Sequence, residues 1–110
     1  MGKNFFRIDD RATLDNLISV SKQKAVLVFK HSNACPISAR AYREMEKLDR
    51  QVNLIEIQAV PDLSRALESL TGVRHESPQV ILLRDGKAVW NASHFDVNVA
   101  SVSKALESNG

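Results

Sequence analysis

The stretch AVLVFKHSNACPISAR, residues 25–40, joins an apolar run, a short polar loop and a helix start. Residues 25–29 are an unbroken β-prone run, which is typical of a strand buried on both faces. Pro36 suits the first position of a helix, where its missing N–H is not needed. Cys35 is therefore predicted at a helix N-cap, at the carboxyl end of a buried strand.

The position of Cys35 favours a reactive thiol. The unpaired amides of the first helical turn and the positive end of the helix dipole favour a thiolate, which is the nucleophilic form of cysteine. The alternative is that a lone cysteine serves as a small apolar filler. Its place between a polar loop and Pro36, off the apolar stripe of the helix, favours the reactive thiol. Ser38 stands three residues further on, where a dithiol enzyme needs its second thiol.

Four segments carry apolar residues at helical spacing. In chain order, the stripe positions are Leu14, Leu17, Ile18 and Ser21; Ile37, Ala41, Met45, Leu48 and Val52; Leu63, Ala66, Leu67 and Leu70; and Val99, Val102 and Leu106. Asp9 or Asp10 is expected to cap the first helix, and Pro61 with Asp62 to open the third. Gly72 lies where a helix C-terminus takes a left-handed residue.

The remaining β-prone runs predict further strands at residues 53–57, 79–83 and 88–90, and a short strand near residues 5–8. Asp85-Gly86 predicts a tight hairpin turn between the last two. Strands separated by helices run parallel, whereas the two strands of a hairpin run antiparallel. The pattern therefore predicts an α/β domain over residues 1–110, with a mixed sheet and helices on both faces.

This layout carries a family resemblance. Cys-Pro-x-Ser at a helix start and Ser77-Pro78 before the fourth strand resemble the thioredoxin superfamily, over nearly the whole chain. More narrowly, VFKHS at residues 28–32 and NACPIS at 33–38 resemble the YtxJ-type monothiol bacilliredoxins, although that family more often has Thr in place of Ala34. The resemblance implies a thioredoxin-like fold whose central mixed sheet has four to five strands. It also implies a cis bond before Pro78, whereas only about 5–6% of X–Pro bonds are cis in folded proteins.

The resemblance implies removal of bacillithiol from protein mixed disulfides. In this reaction the Cys35 thiolate attacks the bacillithiol sulfur, the client leaves as a free thiol, and the adduct stays on Cys35. Ser38 cannot attack that new disulfide, so an external thiol or a partner reductase must release the adduct. Two alternatives stay open: a glutathione-linked monothiol oxidoreductase, and a redox-inactive binding module that holds an extended partner.

Further site residues follow from the same reasoning. Pro36 and Ser38 are expected to stabilise the thiolate, with the Ser38 hydroxyl either donating to the sulfur or serving as a plain first-turn residue. By the resemblance, Pro78 lies against Cys35 and the backbone of Ser77 pairs with an extended substrate.

Four basic residues flank the predicted site: Lys30, His31, Arg74 and His75. They are interpreted either as contacts for the malate carboxylates of bacillithiol or as solvated loop residues. His31 and Cys35 alone do not supply the ligands of a zinc site, so no metal is expected.

Composition limits the remaining functions. A net charge of +2, with 44% apolar and 25% charged residues, fits a soluble globular protein and does not favour a nucleic-acid partner. No segment reaches the length of a membrane span. A single cysteine cannot form an internal disulfide, so a reducing cytoplasm is expected. The expected partners are bacillithiolated client proteins and a low-molecular-weight thiol, with bacillithiol as co-substrate, no tightly bound cofactor and a monomeric state.

Overall fold

The computed structural model describes residues 2–109, which form five strands and four α-helices. The strands are β1 (Phe5–Arg7), β2 (Val26–His31), β3 (Val52–Glu56), β4 (Gln79–Arg84) and β5 (Lys87–Ser93). The helices are α1 (Arg11–Val20), α2 (Pro36–Glu46), α3 (Pro61–Thr71) and α4 (Val99–Asn109), with a short 3₁₀ helix at His94–Asp96.

The five strands form one mixed sheet in the order β1-β3-β2-β4-β5. Strands β1, β3 and β2 are mutually parallel, and β4 runs antiparallel to both β2 and β5. As a result β2, β3 and β5 end, and β4 begins, at the same edge of the sheet. We call this the Cys35 edge; its strand termini are His31, Glu56, Gln79 and Ser93.

Each face of the sheet carries its own apolar cluster. Leu27 and Phe29 of β2 belong to the cluster that contains α2 and α4 residues, whereas Val26 and Val28 belong to the one that contains α1 and α3 residues. This alternation explains why the β2 sequence is apolar at every position from 26 to 29. The predicted α/β arrangement, with helices on both faces of a mixed sheet, is confirmed.

The helix boundaries follow from local chemistry. Asp10 caps α1, because its Oδ1 accepts a hydrogen bond of 2.8 Å from the Thr13 N–H. Pro36 and Pro61 are the first residues of α2 and α3, as predicted. Gly72 ends α3 in the left-handed region at φ +73°.

The structure corrects the sequence prediction at several positions. Helix α2 ends at Glu46, so Leu48 lies beyond it and Val52 belongs to β3, although both side chains are buried in the same cluster. Leu70 was predicted on the buried stripe of α3 but is 45% exposed. The 3₁₀ helix was not predicted, because its residues, His94–Asp96, carry no apolar periodicity.

Candidate active site at the Cys35 edge

Cys35 is the N-cap residue of α2. Its backbone is extended, with φ −119° and ψ 124°, and its carbonyl accepts the Ala39 N–H at 3.0 Å. The thiol is free and half-buried, and within residues 2–109 it makes no capping hydrogen bond. Cys35 therefore lies at the helix N-cap that the sequence predicted.

The loop before Cys35 is held by hydrogen bonds to side chains at and just after the end of β3. Asn33 donates from its side chain to Glu56 Oε1 at 2.8 Å and from its N–H to Gln58 Oε1 at 3.2 Å. Gln58 Nε2 donates to Ser32 Oγ at 2.7 Å, and Ser32 Oγ also accepts the Ala34 N–H at 3.3 Å. Sequence reasoning missed Glu56 and Gln58, because no local pattern marks side chains 23 to 26 residues away as partners of this loop.

Ser38 contacts the same loop from its buried side. It is fully buried, and its Oγ accepts the Ser32 N–H at 2.9 Å and contacts His31 Nδ1 at 2.9 Å. Within the described chain no hydrogen bond joins Ser38 to Cys35, so the predicted donation to the sulfur is not seen. Pro36, the other predicted thiolate-stabilising residue, is exposed at the helix start.

His31 lies at the end of β2, where its half-buried side chain packs against aromatic rings. Its ring centroid is 4.9 Å from that of Tyr42 and 5.6 Å from that of Phe29. Burial lowers the pKa of His31, and the nearby carboxylate of Glu56 opposes this shift. The ring therefore favours its neutral form, which makes His31 a weaker anion contact than the sequence suggested.

Lys30 requires a larger correction. It was predicted at a solvent-accessible position near the loop, but β2 continues through His31 and the Lys30 side chain is 0% exposed. Its Nζ lies 3.2 Å from His75 Nδ1. Burial lowers the pKa of Lys30 to about 8, while Glu68 and Glu76 oppose the shift. The ammonium has no surface on which to meet a substrate anion.

Arg74 and His75 lie in the segment between α3 and β4, and both are exposed overall. The Arg74 carbonyl accepts a hydrogen bond of 3.0 Å from Gln79 Nε2. Burial on one side and the nearby Lys30 charge lower the pKa of His75. The structure thus brings the buried Lys30 into contact with one side of the exposed His75.

The Ser77–Pro78 peptide bond is cis, as the resemblance implies. Pro78 is buried, and its carbonyl accepts the His94 N–H at 2.9 Å, which fixes the start of the 3₁₀ helix beside it. The Ser77 Oγ is buried and has no partner among residues 2–109. Pro78 directly precedes Gln79, and this places it at the Cys35 edge.

The model of one protein family matches most of the chain. That family is described as monothiol bacilliredoxin BrxC, and the match covers residues 6–102, including Cys35 and Pro78. The chain belongs to the monothiol bacilliredoxin family. This bacilliredoxin-family chain is also 35% identical to a solved protein described as having a thioredoxin fold and provisionally as an oxidoreductase; the match covers 93% of each chain with a TM-score of 0.85.

More distant solved structures share the fold. Mitochondrial thioredoxin 3 of Saccharomyces cerevisiae is 16% identical, with a TM-score of 0.71 and 94% of each chain covered. Thioredoxin of Fasciola hepatica is 15% identical, with a TM-score of 0.75 and 94% and 98% of the two chains covered. The fold of this chain is therefore that of thioredoxin, and its family and fold support an oxidoreductase that acts on thiols and disulfides.

Two further observations concern residues 2–109. No cluster of three or more His, Cys, Asp or Glu side chains there could hold a metal ion. None of the helices in the same range is both long and apolar enough to cross a membrane.

Proposed function

We propose that this chain removes bacillithiol from protein mixed disulfides by a monothiol mechanism. The observation that carries the proposal is the pairing of a free, half-buried Cys35 at the start of α2 with a buried Ser38 three residues later. The family match supports bacillithiol as the small thiol, because the family is described as monothiol bacilliredoxins.

The capture step is an exchange of one disulfide for another. The Cys35 thiolate attacks the bacillithiol sulfur, a bond forms between these two sulfurs, and the bond from bacillithiol to the client breaks. The client cysteine leaves as a thiolate and takes a proton from solvent. One disulfide is consumed and one is formed, so the step needs no further oxidant or reductant.

Release requires a thiol from outside the chain. Cys35 is the only cysteine of the sequence, and Ser38 occupies the position of a resolving thiol. An external thiol attacks the adduct, forms a disulfide with bacillithiol and returns Cys35 as a thiolate. A reducing cytoplasm suits this chemistry, because external thiols are abundant there. We propose that the chain acts there as a monomer on bacillithiolated clients, with bacillithiol as co-substrate.

A competition between two modified clients tests the proposed small thiol. One client protein is prepared with bacillithiol and, separately, with glutathione on the same cysteine, and the rate of client thiol release is measured with each. We expect faster release from the bacillithiol form and none from either form with Cys35→Ser. Transfer of glutathione but not of bacillithiol would contradict the proposal and favour a glutathione-linked enzyme.

A further inference from the structure

The segment between α3 and β4, residues 72–78, ends at the Ser77–Pro78 bond and has no regular secondary structure. Such a segment keeps its position only through side-chain and loop contacts, since no helix or strand ladder holds it. Four hydrogen bonds reach it from buried or partly buried side chains of the fold, and they converge on residues 74–76.

Two of these contacts come from Gln79, one comes from Glu68 and one comes from Lys30. Gln79 Nε2 donates to the Arg74 carbonyl at 3.0 Å, and Gln79 Oε1 accepts the Glu76 N–H at 3.3 Å. Lys30 is the direct antiparallel partner of Gln79 across β2 and β4, so the two side chains project from the same face of the sheet. Lys30 reaches the His75 ring between the two Gln79 contacts.

The chemistry of the Lys30 contact fixes the state of His75. While Lys30 is charged its ammonium group only donates hydrogen bonds, so the contact requires His75 Nδ1 to accept and a neutral ring to carry its proton on Nε2. The charged groups that face Lys30 are Glu68 of α3 and Glu76 of the segment itself. Glu68 Oε2 accepts the His75 N–H at 2.7 Å, so His75 is held from its backbone and from its ring.

A buried ammonium lowers stability unless it is compensated by hydrogen bonds and charges. Lys30 is absent from the ion pairs found in residues 2–109, where pairs are limited to 4 Å. A methionine of similar length would avoid the cost of burying a charge. The lysine therefore contributes something other than stability at this position.

We propose that Lys30 is a positioning residue that holds the segment before Ser77–Pro78 against the strand leading to Cys35. Its contact with His75 joins the two parts of the site across β2 and β4, so that a client docked along Ser77 meets the Cys35 sulfur. Lys30 touches neither the sulfur nor, being buried, the client. This inference rests on the proposed function, because it assigns Lys30 a role in client docking.

Lys30→Met tests the role of Lys30. The KM for a bacillithiolated protein client should rise about tenfold, as expected when a charge-assisted hydrogen bond that orders residues 72–78 is lost. The rate at which iodoacetamide, a small reagent, alkylates Cys35 should change by less than about twofold, because the substitution does not alter the helix start. Lys24→Met is the matched control, since Lys24 is exposed just before the opposite end of β2. It should leave KM unchanged.

His75 offers a second pair of variants. His75→Asn keeps an acceptor close to the Nδ1 position and should retain most of the affinity for the client, whereas His75→Leu should match Lys30→Met. The pH dependence adds an independent readout, because Lys30 loses its charge above about pH 8. The wild-type KM should rise as the pH increases from 7 to 9, whereas the KM of Lys30→Met should not follow that rise.

The outcomes separate this inference from the proposed function. An unchanged KM in Lys30→Met, with the wild type still accepting bacillithiol, would overturn the positioning role and leave the function intact. If the wild type accepts glutathione and not bacillithiol, the proposed function fails. The same KM comparison on the glutathionylated client then decides the role of Lys30.

Discussion

Ser38 holds the loop that carries Cys35. Its Oγ accepts the Ser32 N–H and contacts His31, which lie three and four residues before Cys35. The hydroxyl therefore organises the backbone before Cys35. A serine at this position combines two properties: it binds the loop, and it cannot resolve an adduct on Cys35.

Ser38→Cys should restore internal resolution. A thiol at position 38 lies in the first turn of α2, close enough in sequence to attack an adduct on Cys35 and form an internal disulfide. The steady-state amount of bacillithiol adduct should fall severalfold. The control is Ser38→Ala, which removes the hydroxyl without adding a thiol and should retain the adduct. Intact-mass analysis measures both species, and persistent adduct with no disulfide in Ser38→Cys would contradict the helix-start geometry.

Much of the site could be predicted from residues adjacent in sequence. The N-cap position of Cys35 follows from a strand, a loop and a proline within one short stretch. The burial of Lys30 could not be predicted this way, because it depends on where β2 ends and on a histidine 45 residues away. Lysine is almost never fully buried unless it is paired, so composition alone favours exposure.

At the scale of elements, the end of α3 sets the start of the segment at residues 72–78. Gly72 adopts φ +73°, and its N–H donates to the Glu68 carbonyl at 2.8 Å. Gly72 was correctly predicted as the helix terminator, since glycine enters the left-handed region without steric penalty. The exposure of Leu70 was not predicted, because helical spacing does not show that the other elements leave that face uncovered.

Gly72→Ala should destabilise the chain by about 1 kcal/mol, the usual penalty for a left-handed alanine. A Cβ at this position meets nothing within 4 Å, so the loss comes from the backbone alone. Gly72→Asn should lose less, because asparagine tolerates this conformation better. Urea unfolding measures the difference. Equal stability of the alanine variant and the wild type would contradict the backbone argument.

At the scale of the whole molecule, the parallel and antiparallel strands bring four chain segments to one edge. The Cys35 loop, the end of β3, the Ser77–Pro78 bond and the 3₁₀ helix meet there, although they are far apart in sequence. The alternation of strands and helices predicted that Cys35 follows the carboxyl end of a buried parallel strand, but it did not predict the 3₁₀ helix. The specific contacts between the segments, such as His94 with Pro78, had no signal in the sequence.

The free energy of unfolding should depend on pH because Lys30 is buried. Its pKa falls from 10.5 to about 8 on folding, so between these values the unfolded chain binds more protons and stability rises with pH. The penalty is complete below about pH 8 and disappears above about pH 10.5. The gap in unfolding free energy between Lys30→Met and wild type should therefore shift in favour of wild type by on the order of 3 kcal/mol between pH 7 and pH 10.5.

Urea unfolding of both proteins at pH 7 and pH 10 gives this gap. Subtracting one protein's unfolding free energy from the other's at each pH removes the pH dependence that the other titrating groups contribute to both. Lys24→Met again provides the control, because an exposed lysine should show no such change. A constant gap between wild type and Lys30→Met across this range would contradict a buried, charged Lys30.

The most direct test of the central claim is the intact mass of the chain after mixing with a bacillithiolated client in the absence of added thiol. The account predicts one bacillithiol adduct per chain, located on Cys35 by peptide mapping, and stable until an external thiol is added. An unmodified chain beside an unreacted client, or an adduct that forms equally with Cys35→Ser, would contradict it.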